Sequence, residues 1–289
     1  MKFRAITREA GRDIATGTAR TALTCLLYAV ILGLLSAHEF SSVTSLLDTA
    51  AKFQSAGSNV RIISATGRID GNACASLEDI HGVDSAAVRI LPGQLRAATM
   101  STVPLAQYAA TPGIGDVLGA RNADGTPTSR AGALVGEPVL EQFGVNIAVI
   151  PTDLGELVVA GTYPYPEDGR RGGLGFATIY PEVAGDEPFD ECWIRAWPEH
   201  QETNVLLNST VLPAAKADES PPEITQLNAT LGQIFEGRVQ FEERTSRFDP
   251  FIAIIFGVII GVFTVRVRRL ELASALHAGV SASALVLLQ

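Results

Sequence analysis

The residues able to do covalent or acid–base chemistry in this sequence are few and widely spaced. The cysteines are Cys25, Cys74 and Cys192, and the histidines are His38, His81, His200 and His277. No His/Cys pair has the spacing that holds zinc. No G-x-x-x-x-G-K-[ST] loop is present to cradle a phosphate. The glycines at Gly113, Gly115 and Gly119, and those of the stretch 169–175, lack a strand–turn–helix frame and are read as loops. The pattern predicts no catalytic site, no metal centre and no cofactor. What remains is thiol oxidation. If paired, Cys74 and Cys192 would close a long loop and stabilise the chain by about 4–5 kcal/mol in the chain-entropy model. Unpaired, they would be two separate buried thiols. Cys25 falls inside an apolar run and is read as a packed thiol.

Whether the two thiols can pair depends on their compartment, and therefore on the elements that place them. Two strongly apolar runs without a charged residue stand out, 21–37 and 250–265. Each is near the length a helix needs to cross about 30 Å of hydrocarbon, with Arg20 and Arg266 at the edges able to snorkel. The segment before the first run has a charge balance of +3, the segment after the second +2, and the segment between them −14; together they give the net −9. Short basic segments are retained in the cytoplasm. Both ends are therefore predicted inside a cell membrane, with the acidic segment outside, where disulfides are permitted. A cleaved signal peptide is the alternative for the first run. A basic segment of 20 residues in front of it, and the poor site at Leu35-Ser36-Ala37-His38, favour an uncleaved anchor. The acidic charge of the large segment argues against nucleic acid as a partner.

The chain divides accordingly. Residues 1–20 read as an amphipathic helix on the inner leaflet of the lipid membrane, with Phe3, Ile6 and Ile14 among basic residues. The first span, 21–37, continues as a stalk through Phe40, Val43, Leu47 and Ala50 until Gly57-Ser58-Asn59. Residues 38–249 form an α+β extracytoplasmic domain with stalk helices. Strands are predicted at 60–64, 85–91, 133–135, 145–150, 156–161 and 192–197, and helices at 75–80 and 137–143. Asp153-Leu154-Gly155 is a turn, and 164–174 and 216–222 are loops. The pattern over 222–231 is helical, and 238–248 reads as a second stalk leading into the second span, 250–265. Within that span Gly257 and Gly261 lie one turn apart. They would let another helix approach closely, or are simply glycines that membrane helices tolerate.

Beyond the second span runs Arg266-Val267-Arg268-Arg269-Leu270-Glu271-Leu272-Ala273, then Leu276, Gly279 and Ser281, before an apolar run at 282–288. Leu270, Ala273 and Leu276 have helical spacing, so 266–281 is predicted as a short cytoplasmic helix at the membrane surface, free to press on a partner.

Arginines followed by Glu-Leu-Ala, with a glycine eight residues after the glutamate and a serine two further on, resemble the cytoplasmic coupling segment of FtsX-like, MacB-type ABC transporter permeases. Glu271, Leu272, Ala273, Gly279 and Ser281 match; Leu276 departs, since a basic residue is usual there. Ala133-Leu134-Val135, then Gly136, Glu137, Leu140, Phe143 and Gly144, resemble a strand–helix element of the family's periplasmic core. The strands around 158–161 and 177–181 are similar to those that follow it. Such permeases have four spans, and 282–289 stands where a third would begin, so the chain is expected to be truncated or a reduced family member.

The resemblance implies a MacB-type periplasmic core, a cytoplasmic ABC ATPase subunit as partner, and a second permease copy or homologue. It implies that Arg268, Arg269, Leu270, Glu271, Leu272, Ala273, Leu276 and Gly279 couple to the ATPase. Motion would then pass through the spans to the outer domain for export, substrate release or activation of a partner. The alternative from another class is a membrane-anchored sensor or scaffold without an ATPase. A neighbouring gene encoding an ATPase would favour the first.

Overall fold

The computed structural model describes residues 21–98, 100–122, 132–143, 148–199, 202–214, 220–277 and 279. The predicted helix 1–20, the run 282–289, and parts of the predicted strand 145–150 and loop 216–222 lie outside them. The chain separates into two compact units, one of residues 1–49 with 236–289 and the other Ala50–Phe235.

In the first unit, helix α1 (Thr21–Ser55, its last residues belonging to the second unit) holds the predicted span and stalk as one 35-residue element. In the predicted span several apolar side chains are left uncovered, Leu23, Leu26 and Leu34 each being more than 60% exposed. Cys25 is exposed as well, so the expectation of a packed thiol is corrected. The predicted second stalk is not one helix. It comes as a six-residue helix (Gly237–Glu242), a break, and a 3-10 turn (Thr245–Phe248). Arg244 makes the break with extended backbone, φ −59° and ψ 137°. The second apolar helix (Asp249–Val267) follows, with Pro250 in its first turn, where no intrahelical N–H is needed. The last helix is Arg269–His277. By length and composition two helical stretches, Ala22–Ser55 and Gly237–Val267, are able to cross a membrane, and none of either apolar window is buried.

In the second unit, the described strands build one nine-stranded mixed sheet: β1 (Val60–Ile69), β2 (Val83–Ala97), β3 (Met100–Ala110), β4 (Ala133–Gly136), β5 (Val149–Thr152), β6 (Gly155–Tyr163), β7 (Ala177–Pro181), β8 (Phe189–Ala196) and β9 (Glu223–Gln226). The order is β3-β7-β4-β6-β5-β2-β8-β1-β9, and β2 also pairs with β3. That extra pairing closes β2, β3, β7, β4, β6 and β5 on themselves and leaves β8, β1 and β9 as an open wing. One long strand serves both parts. The first half of β2 pairs with β8 and the second half with β3 and β5, with a register shift between Ile90 and Gln94 where Gly93 takes φ +97°.

Two expectations are overturned here. Residues 223–226 are a strand, not part of a helix, because they pair antiparallel with Arg61–Ser64 of β1 and complete the edge of the wing. A four-residue segment has too weak a local preference to resist such a ladder. The Gly113–Gly119 stretch is not a loop: β3 turns into a five-residue helix, Ile114–Leu118, ended by Gly119 at φ +69°. Gly113 is needed for contact, since a Cβ there would collide with the Ser85 carbonyl of β2. This lets the short helix lay Ile114, Val117 and Leu118 on the same core as Val60, Ile62 and Trp193.

On the other face of the wing, Gly71–Ala75 forms a short helix capped by the Asp70 carboxylate, which accepts from the Asn72 and Ala73 N–H groups. It carries Cys74 against Cys192 of β8. The two are bonded, with Cα atoms 5.8 Å apart, inside a core with Ile63, Ile69, Phe189 and Leu207.

Candidate functional site

The predicted coupling residues fall together at one end of the first unit. The helix Asp249–Val267 ends at Arg268 (φ −91°, ψ 9°), whose N–H donates to the carbonyls of Arg266 and Thr264. Arg269, Leu270, Glu271, Leu272, Ala273 and Leu276 all lie on the next helix. The Gly279 N–H closes that helix on the Leu276 carbonyl at 3.0 Å, with Gly279 at φ +85°. Leu270 is 77% exposed and Leu276 51%, and Ala273 is exposed with them. At spacings of three they mark one helix face, and among the described residues nothing covers it.

Further along the same unit, the two apolar helices touch through side chains the sequence did not flag. His38 Nδ1 lies 2.9 Å from Asp249 Oδ2, and Arg244 holds Glu39 through Nε at 3.1 Å and a terminal nitrogen at 2.9 Å. Tyr28 donates weakly to the Ala253 carbonyl at 3.4 Å and lies against Gly257, where a Cβ would sit 3.3 Å from the phenol oxygen. Gly261 faces open space. Of the two glycines proposed for helix packing, one has a neighbour among the described residues.

The end of α1 is the best-ordered polar feature of the second unit. The Gly57 N–H donates to the Gln54 carbonyl and the Ser58 N–H to the Phe53 carbonyl, with Gly57 at φ +72°. This is the double-bonded left-handed ending that glycine permits. Two carbonyls beyond it remain to be satisfied, and distant side chains reach them. Arg170 donates to Ser55 O, and the Asn228 amide donates to Ala56 O at 3.1 Å. A guanidinium at a helix C-terminus also meets the negative end of the helix dipole. Phe53 is buried against Trp197 and Phe235, with ring centroids 6.3 and 5.8 Å away. Arg170 came from a stretch that the sequence marks only as a glycine-rich loop, and Asn228 from one it reads as helix. No local pattern points from either to residue 55.

The same loop supplies Arg171, which reaches across to Glu191 of β8 at 2.8 Å. Glu191 is buried and also accepts from the Trp193 indole at 2.9 Å and the Ser64 hydroxyl at 3.2 Å. Burial disfavours the charge on Arg171, but the hydrogen bond and charge of Glu191 outweigh it and raise the pKa. Tyr163, at the end of β6, and Tyr165, just past it, donate to the carbonyls of Leu174 and Arg171, at 2.7 and 2.5 Å, tying the later part of the loop back to its start. Burial pushes the hydroxyls of Tyr163, Tyr165 and Tyr108 above the usual tyrosine range. In the folded state they therefore keep their protons at a pH where the unfolded chain, with ordinary tyrosines near about 10, loses them. The folded form then binds more protons, so stability is intact below about pH 10 and falls as pH rises beyond it. A tyrosinate absorbance titration of the folded chain is expected to leave these three of the five tyrosines silent until the alkaline unfolding step.

Among the described residues, no group of three or more His, Cys, Asp and Glu side chains is placed to hold a metal ion. The features define a class: a mixed α+β domain flanked in sequence by two apolar helices able to cross a membrane, with a short uncovered helix after the second. No family model matches the sequence, and no curated protein matches it. Among solved structures, the periplasmic region of MacB from Actinobacillus actinomycetemcomitans is similar at 9% identity and TM-score 0.40, over 68% of this chain and 99% of that one. The extracellular domain of the noncanonic ABC-type transporter YknZ from Gram-positive bacteria is similar at 12% identity and TM-score 0.35, over 52% of this chain and 93% of that one.

Proposed function

We propose that the chain is a permease subunit of an ABC-type system, set in the cell membrane with both ends in the cytoplasm and the sheet domain outside. The observation that carries the reading is the uncovered face of the helix Arg269–His277, presenting Leu270, Ala273 and Leu276 directly after a membrane-length helix. An exposed apolar face with basic residues at its entry is suited to a protein partner. The resemblance of this segment to the coupling segment of FtsX-like permeases makes that partner a cytoplasmic ATPase. The charge asymmetry of the sequence supports the orientation, and the disulfide in the sheet domain supports an oxidising compartment.

In this reading the ATPase moves the surface helix, and the movement passes to the apolar helices. The contacts His38–Asp249 and Arg244–Glu39 make those helices respond together. The capped end of α1, held by Arg170 and Asn228, is the point of delivery to the sheet domain. The sheet domain then expels a substrate or acts on a partner outside. Assembly with a second permease copy completes the proposal.

Leu270→Glu and Leu272→Glu are expected to weaken capture of the ATPase from detergent-solubilised membranes by about tenfold or more, the effect of losing one apolar anchor. Membrane insertion should be unchanged. Undiminished capture by both variants would remove the coupling role from this helix.

A further inference from the structure

The glycine-rich loop that joins β6 to β7 and the helix Glu137–Phe143 bound a groove of about 770 Å³ in the sheet domain. The buried Tyr165 and the half-buried Pro138 and Phe176 give it an apolar lining. Two glycines keep that lining open. Neither Gly172 nor Gly175 has the left-handed backbone that demands glycine. A Cβ at Gly172 would meet nothing within 4 Å, and one at Gly175 nothing nearer than the Tyr165 ring at 3.6 Å. Backbone and packing would therefore accept a side chain at either position, where glycine costs conformational entropy. What the glycines achieve is space over the Tyr165 ring and a stretch of exposed main chain, Gly169, Gly172 and Gly173 all being exposed.

Charge at the groove is one-sided. Glu137 and Glu141, one helical turn apart, line it together with Glu167. The one cation among the described lining residues, Arg170, is engaged elsewhere. It is held by Asp168 at 3.1 Å and donates to the carbonyls of Pro164, at 3.0 Å, and Ser55. An apolar surface with an uncompensated negative rim is complementary to an apolar body that carries positive charge. Main chain left bare by glycine adds N–H and C=O groups, which an extended polypeptide can pair with and a simple amphiphile cannot.

We propose that this groove docks an extended polypeptide segment in which arginine or lysine alternates with apolar residues or proline. The apolar residues of that segment cover Tyr165, Pro138 and Phe176, and its basic residues meet the three carboxylates. The proposal names a class of partner for the sheet domain, and it rests on the permease reading only for the side of the membrane on which that partner is met.

The test is equilibrium binding to the full chain in nanodiscs, measured by calorimetry without any ATPase, so its failure leaves the permease reading standing. The probes are two acetylated, amidated hexapeptides, Leu-Pro-Arg-Leu-Pro-Arg and Leu-Ala-Arg-Leu-Ala-Arg. One control puts glutamine in place of each arginine. Another, Gly-Ser-Arg-Gly-Ser-Arg, keeps the charge and removes the apolar residues. At least one probe should bind, and both controls should bind about tenfold or more weakly. The paired change Glu137→Gln and Glu141→Gln should weaken the probe by about tenfold as well. Both residues are exposed, so the fold survives their neutralisation. Gly172→Leu should have a similar effect by filling the groove without altering its charge, and circular dichroism checks that this variant folds. No binding of either probe, or undiminished binding by the paired variant or by Gly172→Leu, would overturn the proposal. Equal binding of the Gly-Ser control would overturn it too, by reducing the groove to an acidic patch.

Discussion

Replacing Cys192 by alanine is expected to lower the unfolding free energy of the sheet domain by about 4–5 kcal/mol. The bond joins residues 118 positions apart, so most of the domain lies within the loop it closes. Opening that loop frees the unfolded chain far more than the folded one. Both sulfurs are fully buried in the core around Ile63, Ile69 and Phe189, so the folded state loses packing as well. Thermal unfolding of the full chain in mild detergent, followed by tryptophan fluorescence, measures the effect. Reductant added to the folded protein should act slowly, because the bond is reached only after the core opens. A variant that melts with the parent would mean that the loop contributes nothing to the stability of the domain.

The second large effect is expected at Arg171. Arg171→Met removes the cation from a carboxylate whose side chain is only 4% exposed. Breaking a buried pair from one side leaves an uncompensated charge and is strongly destabilising. Arg171 itself is 37% exposed, so water screens part of the attraction, and the expected cost is reduced to about 2–3 kcal/mol. Adding Glu191→Gln to that variant should restore much of the loss, since the amide still accepts from the Trp193 indole and carries no charge. A double-mutant cycle measured by urea unfolding separates this coupling from simple packing. If the second substitution restored nothing, the carboxylate would not be the origin of the cost.

What was legible in the residues follows from locality. The helix α1 could be read through Leu47 and Ala50 because one apolar period runs unbroken to Gly57. The unit Ala133–Gly136, Glu137–Phe143 was legible for the same reason, a strand and helix whose patterns change within a few residues. The long β3 went unread, and β2 was read at half its length. Both owe their extent to pairing with each other as a hairpin and with β7, β8 and β5, the last three being contacts made across tens of residues. The segment 223–226 looked helical until β1 supplied a ladder for it. The 238–248 stretch looked like one stalk because an amphipathic pattern does not register the extended backbone of Arg244.

The sequence by itself determined the two apolar helices, the acidic region between them and the position of the short helix that follows the second. These depend on composition and short-period spacing, which are properties of neighbouring residues. It also supplied the candidates for a disulfide, without deciding that they meet. Only the tertiary structure decided that Arg170 and Asn228 close the end of α1 and that Arg171 neutralises Glu191. Each of those joins residues far apart in the chain through a single polar contact. Such contacts leave no periodic trace, because their partners are set by how the strands are ordered in the sheet.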